Sequence, residues 1–160
     1  MESEISIIGF DRAYADAFAE LNYQWISQYF VVEEHDREML DHPVENIIEK
    51  GGWIFFAVAE NNAVGTVALV DDGEDRFELA KMAVSSSFRR RGIGDRLIEA
   101  CVEYAAKNRK GSVFLLSNTL LEPAINLYRK HGFVETVLDQ NSPYERVNIR
   151  MELALPVSNM

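Results

Sequence analysis

Hydrophobic and polar positions follow two periods along the chain, about two residues in some stretches and about 3.6 in others. The first period is typical of half-buried strands and the second of amphipathic helices. The chain therefore alternates between strands joined by short turns and helices that connect more distant strands. The predicted strands are a first stretch that ends near Phe10, then 53–59, 64–70, 77–84, 113–116, 133–138 and 147–153; the predicted helices are 14–29, 37–49, 92–109 and one from Pro123 to about His131.

This order of elements predicts an α/β or α+β fold with helices on both faces of one sheet. Hairpin signals join some neighbouring strands, such as the turn expected at residues 60–63, and helices join others. The 160 residues contain no repeat and no proline-rich or glycine-rich linker, so a single domain over residues 1–160 is expected.

Composition describes an ordinary globular protein with an uneven charge. The formal net charge is −10, and residues 1–60 hold thirteen acids against three bases, so the whole excess lies in that part. A protein that binds phosphates of nucleic acid needs a basic excess, so no nucleic-acid partner is expected.

The same sequence argues against membrane, secreted and metal-binding classes. No apolar run approaches a membrane span, and the first residues lack the positive start of a signal peptide. The single Cys101 suits a reducing compartment, and the histidines show no ligand spacing with it. We expect a cytoplasmic protein with no membrane partner and no metal.

The most informative stretch lies between a predicted strand and a long predicted helix. Glycines at the start of a helix let backbone N–H groups approach an anion, and arginines add charge-assisted donors. This combination predicts a pyrophosphate site, although a basic loop without a ligand is the alternative. The stretch lacks the Gly-Lys-Ser/Thr of a Walker loop and the third glycine of a dinucleotide-binding fingerprint. Its residues are Arg89, Arg90, Arg91, Gly92, Ile93 and Gly94.

Two motifs resemble those of the GCN5-related N-acetyltransferases, the GNAT family. Arg89-x-x-Gly92-x-Gly94 after the strand of residues 78–84 resembles the family's acetyl-coenzyme A signature. Residues 124–133 read Ala-Ile-Asn-Leu-Tyr-Arg-Lys-His-Gly-Phe, which is similar to the family's Ala-x-x-Leu-Tyr-x-x-x-Gly-Phe stretch. The two motifs occur in the family's order, and the predicted elements agree over nearly the whole chain.

The resemblance implies the acyl-CoA N-acyltransferase fold, a mixed and mostly antiparallel seven-stranded sheet with splayed central strands. It implies acetyl-CoA as cosubstrate, with pantetheine in the gap between strands 77–84 and 113–116. Backbone groups of Met82, Ala83 and Val84 would then bond pantetheine and polarise the acetyl carbonyl, as preorganised donors do in acyl transfer. Residues 89–94 would hold the pyrophosphate.

The resemblance also implies two catalytic residues. Tyr128 would contact the cofactor and act as the general acid that protonates the leaving thiolate, since a phenol of pKa about 10 suits a thiol of pKa about 8.5. Its alternative is a tyrosine that only packs on a helix face. Glu78 would take a proton from the amine through water; its alternative is a solvated carboxylate, and a β-bulge nearby would change which face it occupies.

One position departs from the family pattern. Leu121 stands where the family usually has an asparagine, and Asn118 is the nearest replacement. Asn118 either binds the pantetheine arm or caps the helix that follows.

The acidic part of the chain falls where family members cover the acceptor. A cationic amine would be attracted there and would rest on aromatic faces, whereas the alternative is a solvated helix start whose acids suit the helix dipole. The acids are Glu33, Glu34, Asp36, Glu38 and Asp41, and their aromatic neighbours are Trp25, Tyr29 and Phe30.

These observations predict an N-acetyltransferase that moves an acetyl group from acetyl-CoA to a primary amine by direct attack. The acceptor is a small-molecule or peptide amine, with cationic small molecules as one candidate class. The alternative is a module of the same fold that binds an acyl-CoA as a sensor without turnover. A homodimer is compatible with the family, and the sequence names neither the acceptor nor the oligomeric state.

Overall fold

The computed structural model describes residues 4–139 and 144–156. Within these residues the chain forms seven strands and four α-helices. The strands are β1 (Ile5–Gly9), β2 (Trp53–Ala59), β3 (Asn62–Asp71), β4 (Arg76–Val84), β5 (Ser112–Ser117), β6 (Val134–Thr136) and β7 (Ile149–Ala154); the helices are α1 (Ala15–Tyr29), α2 (Glu34–Asp41), α3 (Ile93–Lys107) and α4 (Glu122–Lys130).

The strands form one sheet in the order β1-β2-β3-β4-β5-β7-β6. All neighbouring strands run antiparallel except β4 and β5, which are parallel and are connected through α3. A parallel pair needs such a crossover, whereas a two-residue turn suffices for the antiparallel β2 and β3. The predicted fold class, a mixed and mostly antiparallel seven-stranded sheet, is confirmed.

The central strands β4 and β5 separate soon after they meet. Their pairing is confined to residues 76–78 of β4 and 112–114 of β5. Both strands continue past this point, β4 to Val84 and β5 to Ser117, without pairing to each other. The predicted gap between these strands is therefore present, and unpaired backbone groups line it.

Each face of the sheet has its own hydrophobic core. On one face α3 packs on the sheet through Leu97, Ile98 and Cys101, all of them fully buried. On the other face α1 packs through Phe18 and Ile26. Helices on both faces follow from strands whose alternate residues are apolar on both sides. Cys101 is thus a packed core thiol, and burial raises its pKa above the ordinary value for cysteine.

The second helix differs from the prediction of one helix over residues 37–49. α2 begins earlier and ends at Asp41, and a short π-helical segment covers Val44–Ile48. Pro43 explains the break, because proline lacks the N–H that the helix needs and disfavours helical geometry in the residue before it. His42 is accordingly non-helical, with φ −132° and ψ 59°. The apolar periodicity continues across the break, which is why it predicted one element.

A β-bulge interrupts β4 at Lys81. Ala80 pairs with Ala68 on β3 and Ala83 pairs with Thr66, so two residues of β4 face one residue of β3. Lys81 adopts the left-handed conformation with φ 56°, which is uncommon for a residue other than glycine. The bulge lies after Glu78, which therefore keeps the regular alternation and lies on the α1 face of the sheet.

Candidate active site

A cleft of about 650 Å³ passes through the sheet at the gap between β4 and β5. One end reaches the loop before α3, and the other reaches the C-terminal end of α1 on the opposite face. The cleft therefore connects the loop before α3, which is rich in glycine and arginine, to side chains at the C-terminal end of α1 on the other face of the sheet. The candidate site residues that line it are Glu78, Met82, Ala83, Val84, Arg89, Arg90, Gly92, Ile93, Gly94, Asn118 and Tyr128.

Backbone conformation makes the loop end of the cleft suitable for an anion. Arg90 and Gly92 both have positive φ angles, 65° and 72°, and the residues between and after them turn directly into α3. Alternating conformations of this kind form a concave set of N–H groups. No side chain caps the first turn of α3, so its N–H groups stay available and the helix dipole adds to them. This donor set fits a pyrophosphate.

Gly94 allows α4 to approach the same loop. A Cβ atom at this position would lie 2.8 Å from Cδ2 of Leu127 on α4, closer than real side chains come. The start of α3 therefore lies close to α4, which carries Tyr128. The two motifs of the sequence meet at the cleft, since residues of both line it.

The charged side chains of the loop differ in their placement. Arg89 and Arg90 are exposed and line the cleft. The guanidinium of Arg91 lies 4.8 Å from the centre of the Phe88 ring, a cation–π arrangement. Asp95 in the first turn of α3 is paired with Lys130 and His131 at 2.8 Å each, which offsets an acid that would otherwise repel a phosphate.

Replacing Arg89 and Arg90 together by glutamine is expected to raise the dissociation constant for coenzyme A about tenfold, because charge-assisted bonds to phosphate are lost. The salt dependence of binding should decrease in the same variant, since exposed charges are screened by ions. Titration calorimetry at two ionic strengths measures both effects. Arg12→Gln, at an exposed position away from the cleft, is the control; an unchanged dissociation constant in the double variant would refute the phosphate role.

Main-chain groups of β4 are directed into the gap. The N–H of Ser85 donates to the carbonyl of Val64 on β3 at 2.8 Å, and Ala83 pairs with Thr66, which also belongs to β3. Successive residues of a strand direct their N–H and C=O groups to opposite edges, so those of Val84 and Met82 face the gap. Ala83 thus belongs to the pairing with β3, and its two neighbours supply the free groups.

Tyr128 lies on the face of α4 that borders the cleft. Its side chain is buried and its ring packs 6.0 Å from that of Phe133. Burial raises the pKa of Tyr128 above its ordinary value, so the phenol stays protonated at neutral pH. No hydrogen bond among the described residues uses its hydroxyl, which leaves that group available to a bound molecule. Packing and an available hydroxyl occur together here.

Glu78 borders the cleft on the α1 side, half-buried between Phe77 and Leu79, which point into the opposite core. Burial raises the pKa of Glu78 to about 7, and the nearby charge of Lys81 only partly opposes this. The carboxylate takes part in no hydrogen bond or ion pair with the described residues. A carboxyl group that titrates near neutral pH in a cleft is suited to accept a proton.

Asn118 connects two segments at the edge of the cleft. Its amide N–H₂ donates to the carbonyl of Arg146 at 2.7 Å, and its side-chain oxygen accepts from the N–H of Leu120 at 2.8 Å. The second bond is a local turn after β5, and the first holds the segment before β7 beside the cleft. Asn118 therefore supports the wall of the cleft, a role that neither sequence alternative included.

A buried ion network forms part of the cleft wall on the α1 side. Asp36 is fully buried and accepts from Lys81 at 2.5 Å and from both terminal nitrogens of Arg146, at 2.9 and 2.6 Å. Arg146 also pairs with Glu33 at 3.2 Å. Burial alone would raise the pKa of Asp36, but hydrogen bonds from Arg146 and Lys81 outweigh it and hold the pKa at about 2. The network joins α2, the β4 bulge and the segment before β7.

Neither alternative for the acids of residues 33–41, attraction of a cationic amine or a solvated helix start, holds for Asp36, which is buried in this network, and Glu33 at the N-cap of α2 is paired within it. Asp36 and Glu33 are neutralised by Lys81 and Arg146. Glu38 lies 3.4 Å from His35, and Asp41 accepts a hydrogen bond from Tyr23. Two of the five acids that the sequence places here thus have their charge compensated by lysine or arginine within the protein.

Sequence reasoning missed Lys81, Arg146 and Tyr144. The hydroxyl of Tyr144 accepts a hydrogen bond from Lys81 at 3.0 Å, and its ring centre lies 4.4 Å from both cations. One signal was present: Glu33 and Asp36 form a capping box at the start of α2, with an acid three residues after the N-cap. It indicates that Asp36 turns back toward the chain rather than toward solvent.

Two structural features are absent among the described residues. No three of their histidine, cysteine, aspartate and glutamate side chains are grouped so that they would hold a metal ion. None of their helices has both the length and the apolar character needed to cross a membrane.

Comparison with known proteins gives related sequences and folds. A family model described as "Acetyltransferase (GNAT) domain" matches residues 50–135. Streptothricin acetyltransferase A of Bacillus subtilis is 28% identical over 119 residues, 72% of this chain and 66% of that protein. Human N-acetyltransferase 8 is 31% identical over 104 residues, 62% of this chain and 46% of that protein. The matched part thus spans between about half and two thirds of these relatives.

Solved structures share the fold over almost the whole chain. An acetyltransferase of the GNAT family from Staphylococcus aureus Mu50 has a TM-score of 0.86 at 21% identity, over 96% of this chain and 100% of that one. The PaiA N-acetyltransferase of Thermoplasma acidophilum, solved in complex with coenzyme A, has a TM-score of 0.77 at 16% identity, over 95% and 99%. At these identities the likeness concerns the fold.

Proposed function

The chain belongs to the GNAT acetyltransferase family, and from this premise we propose that it transfers an acetyl group from acetyl-CoA to a primary amine. The observation that carries the proposal is the cleft through the sheet, which joins a phosphate-binding loop to Tyr128 and Glu78. A thioester held along this cleft has its phosphates at the loop and its acetyl end near both side chains. Acetyl-CoA supplies an activated acyl group when bound.

The acceptor amine enters from the α1 side and attacks the acetyl carbonyl carbon, while the bond from that carbon to sulfur breaks. Glu78 accepts the proton that the nitrogen loses, directly or through one water. Its pKa near 7 supports this role, because a base works best when its pKa is close to the working pH. Burial in the cleft keeps the carboxylate poorly solvated, which is what raises its pKa.

Two other groups act on the leaving side of the reaction. The N–H groups of Val84 and Met82 face the gap and bind the acetyl oxygen and the pantetheine arm, where they stabilise negative charge as it develops. Tyr128 donates its proton to the sulfur as the thiolate leaves. Burial keeps the phenol of Tyr128 protonated at neutral pH, so the proton is present when the thiolate forms.

The experiment that tests the proposal measures release of the coenzyme A thiol from acetyl-CoA with a panel of primary amines. Thermal stabilisation by coenzyme A alone is recorded in parallel, since a ligand that binds the native state stabilises it. We expect both stabilisation and amine-dependent thiol release. Stabilisation without release on any amine would contradict catalysis and favour a non-catalytic acyl-CoA module.

Replacing Tyr128 by phenylalanine is expected to lower the turnover number about a hundredfold, because the thiolate then leaves without a proton donor. The dissociation constant for coenzyme A and the thermal stability should change little, because the ring and its contact with Phe133 remain. Steady-state kinetics and calorimetry measure these quantities. Tyr104→Phe, a tyrosine stacked on Trp53 outside the cleft, is the matched control. An unaltered turnover number would remove Tyr128 from the mechanism.

A further inference from the structure

The end of the cleft beyond Glu78 has an aromatic wall. Trp25 and Tyr29 belong to the last turns of α1, and Phe30 follows directly. The indole N–H of Trp25 donates to Asn22 at 3.1 Å, and its ring meets Phe30 edge to face with centres 6.3 Å apart. These contacts fix the wall in place. Tyr29 is 52% exposed, so an apolar surface is open to the bound acceptor.

The opposite side of this end is held by the ion network. Tyr144 lines the cleft beside Lys81 and Arg146, and its ring lies close to both cations. The acceptor end is thus lined by aromatic rings of the α1 end and by Tyr144, together with the carboxylate of Glu78.

The charged side chains that line this end of the cleft form ion pairs within the protein, except that of Glu78. Lys81 and Arg146 bind Asp36 and Glu33, so among the described residues neither cation is left over for a carboxylate on the acceptor. Asp95, the other described carboxylate that lines the cleft, lies at the loop end and is paired with Lys130 and His131. The described lining therefore offers no second acid for a second ammonium group.

We propose that the acceptor is a primary amine carried on an aromatic or branched apolar group, with no second charge beside the amine. This inference rests on the proposed function and names the substrate class of the same site. The amine lies at Glu78, and the apolar group packs on Trp25 and Tyr29, where burial of its surface provides affinity. Polyamines and free amino acids are disfavoured, because each brings a charge that must be desolvated without a partner.

Phenethylamine and three other amines test the inference. Phenylalanine adds a carboxylate to phenethylamine, ethylamine lacks the ring, and putrescine has a second cation in place of the ring. We expect kcat/KM for phenethylamine to exceed that for each of the others at least tenfold. A preference for putrescine or phenylalanine, or equal values for all four, would overturn the inference and leave the proposed function intact. No turnover with any amine overturns both.

A variant at Tyr29 distinguishes the loss of a contact with the substrate from a general loss of activity. Tyr29→Ala should raise KM for phenethylamine about tenfold and leave KM for ethylamine within twofold, because only the ring of the substrate loses its packing surface. Tyr29→Phe keeps the ring and should raise KM for phenethylamine less than Tyr29→Ala does. Val31→Ala, at a residue 79% exposed just beyond the wall, is the matched control. An equal effect of Tyr29→Ala on both amines would contradict packing against this ring.

Discussion

Replacing Glu78 by glutamine is expected to lower kcat/KM about a hundredfold or more at pH 8, because glutamine cannot accept the proton of the amine. The loss should depend on pH. In the unchanged protein the rate rises as Glu78 ionises near pH 7, and this rise should disappear in the variant. Below pH 6 the two proteins should converge, because Glu78 is then protonated and no longer a base. A pH profile of kcat/KM measures this.

Stability distinguishes loss of a base from loss of structure. The folded pKa of Glu78 lies above its ordinary value of 4.5, so the native state holds this proton more tightly than the unfolded state does. The resulting stabilisation is complete below about pH 4.5 and is lost as pH rises through 7. Glu78→Gln should therefore be at least as stable as the unchanged protein at pH 8.

A matched control for this change is available on the sheet. Glu135 is an exposed carboxylate on β6 that does not line the cleft, and Glu135→Gln should change neither the rate nor its pH profile. A pH profile that keeps its rise near 7 in Glu78→Gln would assign the base to another group or to bulk water.

Sequence periodicity predicted most of the fold because apolar faces repeat within each element. The order of strands and helices and the buried face of α3 depend on such local patterns, whereas the gap between β4 and β5 was implied only by the resemblance to the GNAT family. The prediction was wrong for the second helix because periodicity carries no information on backbone donors, and Pro43 removes one. The bulge at Lys81 was also beyond reach, since the alternation of β4 looks continuous in the sequence.

The candidate site divides in the same way. The loop of residues 89–94 and Tyr128 belong to contiguous motifs, so the sequence alone was enough to identify them as candidate site residues. The ion network joins residues far apart in sequence, with 45 positions between Lys81 and Asp36 and 110 between Arg146 and Asp36. No periodicity connects them. From the sequence alone, the acids of the first 60 residues therefore suggested a surface that attracts cations. In the structure Asp36 and Glu33 are paired with cations of β4 and of the segment before β7.

The paired network changes which property of the acceptor end selects a substrate. A net charge counted along a segment measures attraction only when the charges face solvent. Asp36 and Glu33 instead fix the segment that carries Tyr144 and Arg146, so their contribution is geometric. Shape and apolar contact at Trp25 and Tyr29 are then the features that differ between candidate amines.

Replacing Asp36 by asparagine is expected to lower the free energy of unfolding by about 3–5 kcal/mol, because the largely buried Lys81 loses its counter-charge and Arg146 keeps only its pair with Glu33. Lys81 has 5% and Arg146 has 12% of its side chain exposed, so water cannot replace the carboxylate. Urea denaturation at pH 7 measures the change. Glu34→Gln, an exposed acid of the same helix turn, is the control and should stay within about 0.5 kcal/mol.

Two further measurements make the cause of the Asp36→Asn effect specific. The pKa of Asp36 is held at about 2, below its ordinary value of 3.8, so its stabilisation is present above pH 4 and is lost as pH falls toward 2. The cost of Asp36→Asn should therefore shrink in acid. Adding Lys81→Met to Asp36→Asn should recover part of the stability, because one uncompensated buried charge is removed. A cost below about 1 kcal/mol at pH 7, or no recovery in the double variant, would show that the network does not hold this wall of the cleft.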